Sequence, residues 1–290
     1  MRKSLFGLLF AMSLVLGGCS SSDDPGSELA AGFTIVYEGV TYELININAI
    51  RVEDNLGVTG ETGDGAIIQV LFNSNGDLGE VRSDIFPGSP ETALPDASTF
   101  YFYSSFYMDF DLVELTEDTF AFTFDGTLHE DEFVIDSPTF TMSGSYNGSY
   151  TEVAPGIPGE GVSAVVNGVD WIAVSDTQSG GFFSGSDVTH TFFSDDQYAF
   201  GIDSNHDNTE VGTYNFSPSS DVNRIQVLKW DTEAEMEVEL EASGTLVVEQ
   251  KNVGTFETEF SGTFTVTAID TDGSTITVTD GQFYYFYRNY

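Results

Sequence analysis

From Phe33 onward the apolar residues of this chain recur at every second position, and no window of a dozen residues carries a 3.6-residue period. That pattern predicts strands throughout, an all-β chain of antiparallel meanders with one face of each strand buried. Turn-forming pairs stand at Asn75-Gly76, Asp125-Gly126, Asn147-Gly148, Asn167-Gly168 and Asp272-Gly273, at spacings that suit hairpins. The most regular stretch runs from Glu235 to about Ile269. Its even positions Met236, Val238, Leu240, Ala242, Leu246 and Val248 are apolar, while Glu235, Glu237, Glu239 and Glu241 stand between them. The return strand carries Phe256, Phe260, Phe264 and Val266, with Glu257 and Glu259 interposed. A loop at Lys251 to Val253 would set Gly244 opposite Phe260 and Ala242 opposite Gly262. The acidic ladder reads as a hydrated face that discourages edge pairing, with cation binding as the alternative.

The same pattern occurs twice. Thr119-Phe120, Phe124 and Gly126-Thr127-Leu128 match Thr255-Phe256, Phe260 and Gly262-Thr263-Phe264 at a constant offset of 136. Upstream, Tyr37-Glu38-Gly39-Val40-Thr41-Tyr42 matches Val166-Asn167-Gly168-Val169-Asp170-Trp171 as an opening hairpin. The fold expected is therefore two tandem antiparallel β-domains, each a sandwich or flattened barrel, related by a diverged internal duplication. Residues 33–153 form the first, 162–290 the second, and the Pro- and Gly-rich residues 154–161 the linker.

The first residues differ from all of this. Arg2 and Lys3 precede the apolar run Leu5 to Leu16, which is too short to span a bilayer that needs about 20 residues. The run ends in Leu16-Gly17-Gly18-Cys19, which resembles the bacterial lipobox; an ordinary secretory signal is the alternative. The resemblance implies that residues 1–18 are removed and that Cys19 is lipidated, leaving residues 19–32 as an acylated tether. Ser20-Ser21-Ser22-Asp23-Asp24 is similar to the export signal of bacteroidete surface lipoproteins, which implies an outer-membrane lipoprotein exposed at the cell surface. Cys19 is the only cysteine, so no intramolecular disulfide can form. The second half also resembles an uncharacterised β-domain family of such lipoproteins, through Asn167 to Trp171, Ser261 to Thr267 and Asp280 to Phe283. The first half departs from it, with Tyr42 for Trp171 and Asp136 to Phe140 for the closing segment. That family implies fold and location and no chemistry.

Charge narrows the partners. Of 8 Lys+Arg, Arg2 and Lys3 leave with the signal, so the mature chain sets 6 against 47 Asp+Glu, a net charge of −41. Such a surface excludes nucleic acid and surface attraction to anionic membranes, because both need basic patches; the membrane is reached through the lipid anchor. It suits salty water, where self-repulsion is screened, or divalent cations.

Candidate chemistry is sparse. His129, His190 and His206 show no metal-ligand spacing, and His129-Glu130-Asp131-Glu132 lacks the second histidine of HExxH. No Gly-x-Ser-x-Gly element is present, and catalysis is not expected. Asp203, Asn205, Asp207 and Glu210, like Asn73, Asn75, Asp77 and Glu80, place oxygens at calcium-like spacing but lack the glycine and final acid of an EF-hand loop. They read as polar turns or as calcium sites, calcium being the one cofactor in view. In Phe100 to Val113 the even positions Phe100, Phe102, Phe106, Met108, Phe110 and Leu112 read as core. Tyr101, Tyr103, Tyr107, Asp109 and Asp111 then form a stripe that either stacks on sugar rings or packs against the other domain. The aromatic strand Phe283 to Tyr287 carries the same two readings, with a membrane barrel strand ending at Tyr290 as a third. The expectation is a lipid-anchored binding or structural module for a glycan or an envelope protein, the alternative being an extracellular polysaccharide hydrolase using paired carboxylates.

Overall fold

The computed structural model describes residues 29–85, 92–101, 103–156, 159–180, 187–194, 197–205, 208–231, 233–254 and 257–288. Cys19, Phe102, His206, Asp207, Phe256 and Tyr290 lie outside them. The chain is all-β. In the first half the strands are β1 (Gly32–Tyr37), β2 (Val40–Glu43), β3 (Ile45–Val52), β4 (Asn55–Glu61), β5 (Ala66–Asn73), β6 (Leu78–Ile85), β7 (Ala97–Ser98), β8 (Met108–Leu115), β9 (Thr119–His129), β10 (Thr139–Ser149) and β11 (Thr151–Glu152). The second half holds β12 (Gly161–Val166), β13 (Val169–Ile172), β14 (Ser175–Gly180), β15 (Asp187–Phe193), β16 (Tyr198–Asn205), β17 (Gly212–Phe216), β18 (Arg224–Asp231), β19 (Met236–Glu239), β20 (Glu241–Val253), β21 (Glu257–Ile269) and β22 (Thr275–Arg288).

Both halves are wired alike. Each opens on a hairpin whose two-residue loop needs positive φ at both positions, met by Glu38 (49°) with Gly39 (77°) and by Asn167 (51°) with Gly168 (86°). The first strand of each half then pairs with its last long strand, β1 with β10 and β12 with β22. Next the chain turns a corner and passes into a second layer, with the same backbone bond in both copies. The Leu44 amide donates to the Phe33 carbonyl at 2.9 Å, and the Ala173 amide to the Val162 carbonyl at 2.9 Å. In the second half the layers are a six-stranded sheet, β13-β12-β22-β21-β20-β17, and a five-stranded sheet, β14-β15-β16-β18-β19. The first half keeps the same order in one branched eleven-stranded sheet, continuous because the short β7 links β6 to β9. No sheet closes into a barrel, and the architecture is sandwich-like.

Alternation fills the cores. Phe33, Ile68, Phe72, Phe120 and Phe122 anchor the first, and Trp171, Phe200, Phe264 and Val278 the second. A third cluster joins the halves: Phe100 and Tyr103 pack on Phe193, Ala199, Leu228 and Trp230.

Two turn signals are corrected. Asp125-Gly126 lies within β9 and Asn147-Gly148 within β10. Gly126 is a glycine for proximity, since a Cβ there would lie 2.3 Å from the Tyr107 carbonyl oxygen. The β20–β21 register is also corrected, because both strands run on to the turn at Gly254 instead of stopping at Lys251. Gly262 therefore faces Val248 and Gly244 faces Val266. The displacement is even, so the buried and exposed faces stay as expected, except that Met236 is exposed. The Glu235–Ile269 hairpin is bent as well: at Leu240 the chain crosses from the five-stranded to the six-stranded sheet, and the Leu240 amide donates to the Val227 carbonyl. Asp280-Gly281 forms a bulge inside β22, at the register shift opposite Phe264 and Val266, whereas Asp136 to Pro138 precede β10; the two segments are not equivalents.

Candidate functional site

Tyr101, Tyr103 and Tyr107 do not share a strand face. Residues before Met108 form a loop with a 3-10 turn at Ser104–Phe106, entered through Tyr103 in the left-handed region (φ 59°), and Phe106 is exposed rather than core. Tyr103 is buried between Phe193 and Trp230 with its hydroxyl toward Glu237. Burial, followed by the Glu237 charge, pushes its phenol far up. Tyr101 donates to the Asp176 carbonyl and stacks near Phe133 and Phe193, and burial together with Asp176 pushes its phenol up to about 12. Tyr107 packs on Phe100 and His129. The tyrosines thus pack one half on the other, while Asp109 and Asp111 point to solvent from β8. His129 ends β9 fully buried, its ring nitrogens without a hydrogen-bond partner among the described residues, and burial lowers its pKa.

The calcium-like spacings serve the fold. Asp203 is buried on β16, accepting from Arg224 at 2.7 Å, Gln226 at 2.9 Å and Thr189 at 2.5 Å. Asn205 donates to Asp187 and accepts from the Asn208 amide, and exposed Glu210 reaches Lys251 at 3.4 Å. Asp203 is thus committed to an arginine, and Asp207 of the same set lies outside the described residues. In the first half, Asn73 Oδ1 accepts from the Asn75 and Asp77 amides, while its Nδ2 donates to Asp77 and across to the Ile172 carbonyl at 2.9 Å. Ser194 returns a bond to Asp77 at 3.1 Å, so this turn latches the halves together. Among the described residues no three His, Cys, Asp or Glu side chains converge on a metal-sized site.

What the halves enclose is a cleft beside the linker. Its main part is about 480 Å³, lined by Glu53, Asp54 and Asn55 after β3, by Glu160 of the linker, by Glu249 of β20 and by Gln282 and Tyr284 of β22. A second lobe of about 230 Å³ shares Glu53, Asn55 and Glu160 and reaches Asp176, His190 and Tyr285. The size is that of a small-ligand site. Local structure places each group. The tight β3–β4 turn, with Glu53 at φ 54°, projects a carboxylate that accepts the Gly159 amide at 3.0 and 3.2 Å and so fixes the linker. Asp176 and His190 are diagonal neighbours across the β14–β15 hairpin, and His190 Nε2 meets Asp176 Oδ2 at 2.5 Å. The imidazole lies flat on Phe192 and edge-on to Tyr285, and its Nδ1 is buried without a hydrogen-bond partner among the described residues. Partial burial, then the Asp176 and Glu257 carboxylates, raise the Glu160 carboxyl, with His190 opposing. Among the described residues no Lys or Arg lines either lobe.

None of these cleft residues was singled out as a site by sequence. Glu53, Glu160, Asp176 and His190 come from four separate stretches, and only the linker's position between two copies hinted at a shared boundary. Comparison with protein-family models, curated proteins and solved structures finds no match in any of the three.

Proposed function

We propose that this chain is a lipid-anchored, surface-exposed binding module of the outer membrane that holds a glycan in the cleft beside its linker. The carrying observation is a cleft of about 480 Å³ built by both halves, whose polar lining is carboxylate, amide and hydroxyl beside the Tyr284 ring. Carboxylates and amides bond sugar hydroxyls, and an aromatic face packs on the apolar side of a sugar ring. The stripe of Tyr101, Tyr103 and Tyr107 plays no part in this reading, being packed at the junction. A thermal-shift screen of the mature chain against oligosaccharides tests it: a bound ligand at 100 times its Kd stabilises by about 2.7 kcal/mol. Shifts should vanish in Tyr284→Ala, and no shift with any oligosaccharide would remove the glycan reading and leave an envelope-protein partner. Hydrolysis by paired carboxylates is the second reading, favoured by the raised Glu160 carboxyl beside Asp176. New reducing ends, absent in Glu160→Gln, would decide for it.

Anchoring is separable from binding. Cys19→Ser should release or mislocalise the protein while leaving its melting temperature unchanged, as fractionation and calorimetry would show. A chain that stays membrane-bound after the substitution would remove the anchor.

A further inference from the structure

His129 is buried for a reason that lies outside its own sheet. Thr265, its counterpart at the offset of 136, is exposed on β21, whereas His129 is only 2% exposed. The difference is the loop between β7 and β8, which folds over this end of β9. The imidazole packs on Phe100 at 5.6 Å and on Tyr107 at 5.4 Å. Phe100 in turn packs on Trp230 of the second half, ring centroids 5.4 Å apart, in the cluster that joins the halves. His129 is therefore sealed from solvent only while the halves stay together. Both of its ring nitrogens lack a hydrogen-bond partner among the described residues. A neutral imidazole leaves one donor and one acceptor unmet there, whereas an imidazolium leaves two donors and a full charge. We propose that His129 is a pH-sensitive lock on the junction, and that its protonation loosens the contact of Phe100 and Tyr103 with Trp230.

The titratable groups around the imidazole do not take up that charge. Its strand partners Ser98 and Thr139 are neutral. In the turn after β9, Glu130 and Asp131 are exposed and Glu132 is paired with Arg82. On β6, Glu80 accepts Ser98 and holds the same arginine at 2.9 Å. The loop brings Tyr101, Tyr103 and Tyr107, whose phenols burial pushes up and keeps neutral. Asp109 of β8 points to solvent. Across the junction Lys229 is committed to Asp270, Glu235 is exposed, and Glu237 lies 3.5 Å from the Tyr103 hydroxyl. Burial lowers the pKa of His129. An open junction returns it toward its ordinary value near 6.5, so closure is fully favoured above that pH and weakens by up to about tenfold per pH unit below it. Desolvation raises the Glu80 and Glu237 carboxyls, so their protonation favours closure and opposes His129.

Hydrogen exchange of the mature full chain, read by mass spectrometry and corrected for the intrinsic effect of pH, tests this in the peptides that carry Tyr103 and Trp230. Between about pH 7.5 and about pH 5.5 their protection should fall by up to about tenfold, while β21 and β22 keep theirs. His129→Phe fills the same space and His129→Gln keeps a polar side chain, and neither takes up a proton in this range. Each is compared with itself across the two pH values. Protection at the junction should then hold level or rise, because Glu80 and Glu237 act unopposed. A second readout leaves His129 in place: the chain has three histidines, so the His129 ring can be titrated by NMR, assigned against His190→Gln and His206→Gln. It should gain its proton over the pH range in which the junction loosens. Unchanged protection in the parent would overturn the proposal. So would a loss that persists in both variants, since another group would then be responsible. If neither variant folds, the titration decides, and a ring still neutral where the junction has loosened, or protonated where it stays closed, overturns the proposal.

Discussion

Gly262→Ala should leave the second half unable to fold stably, with a loss of about 3 kcal/mol or more in chemical denaturation. Gly262 sits at the centre of β21, opposite Val248 on one side and Phe283 on the other. A Cβ at this position would lie 1.8 Å from the Val247 carbonyl oxygen and 2.8 Å from the Phe283 ring. The ring can turn, but the carbonyl cannot retreat, because Val247 is paired to Thr213 of β17 and Thr263 of β21. Relief would mean breaking the ladder between β20 and β21, two strands of 13 residues each. Gly126→Ala, at the matching position of the first half, meets the Tyr107 carbonyl at 2.3 Å. Tyr107 precedes β8, its carbonyl accepts the Thr127 amide at 2.8 Å and the Met108 Cα would lie 2.6 Å from the new methyl, so about 2 kcal/mol or more is expected there. A Gly262→Ala protein within about 0.5 kcal/mol of the parent would show that the crowding argument is wrong.

That pair of glycines shows what could be read from the chain without coordinates. Gly126 and Gly262 stood out as repeated letters at a fixed offset, and the repeat is a physical one: in each half a neighbouring strand's backbone needs the space a side chain would fill. Period-two alternation fixed which side chains face the core, since burial is a matter of parity. Register was not legible, because Gly262 could face Ala242 or Val248 without changing either face. The six-residue error arose from placing the turn at Lys251, when the polar strand ends carry on to Gly254. Asp125-Gly126 was misread for a related reason, as the pair's turn chemistry is local while the approach of Tyr107 is not.

The candidate site was almost illegible, and the cause is topological. Alternation separates buried from exposed positions within one sheet, but it does not distinguish solvent from a second folded half. Tyr101, Tyr103 and Tyr107 looked like an exposed stripe because the residues covering them, Phe193 and Trp230, lie some ninety or more positions later. The same distance hides the latch at Asn73, whose spacing suggested calcium until the Ile172 carbonyl was seen to take its amide. Glu53 and Glu160 become neighbours only because the linker folds back on the β3–β4 turn. The sequence signal that could have found the cleft is scarcity: with so few cations after Lys3, any crevice lined by acids is bound to be anionic.

One of those cations holds the second half together, and Asp270→Ala should cost about 2 kcal/mol by leaving the half-buried Lys229 ammonium without its partner. Asp270 is buried at the β21–β22 turn and accepts Lys229 Nζ at 2.8 and 2.9 Å, the Tyr198 hydroxyl at 2.7 Å and the Thr271 amide at 2.6 Å. Lys229 and Tyr198 belong to the five-stranded sheet and Asp270 to the six-stranded one, so the bonds clamp the two layers. Burial by itself would raise the Asp270 carboxyl, but the lysine, the hydroxyl and the amide outweigh it and hold the carboxyl at about 2. A pKa depressed by folding gives stability that is complete above the unfolded value near 4 and is lost as pH falls toward 2. The pH-dependent part is up to about 2 kcal/mol, reduced by whatever solvent reaches Lys229. Asp270→Asn keeps the shape and should lose the acid-dependent part of that stability while melting lower at neutral pH. Lys229→Met alone should cost a similar amount to Asp270→Ala, and the double variant Lys229→Met/Asp270→Ala should cost less than the two singles together, because it leaves no unpaired charge behind. Strict additivity in that cycle would show that the pair does not act as a unit.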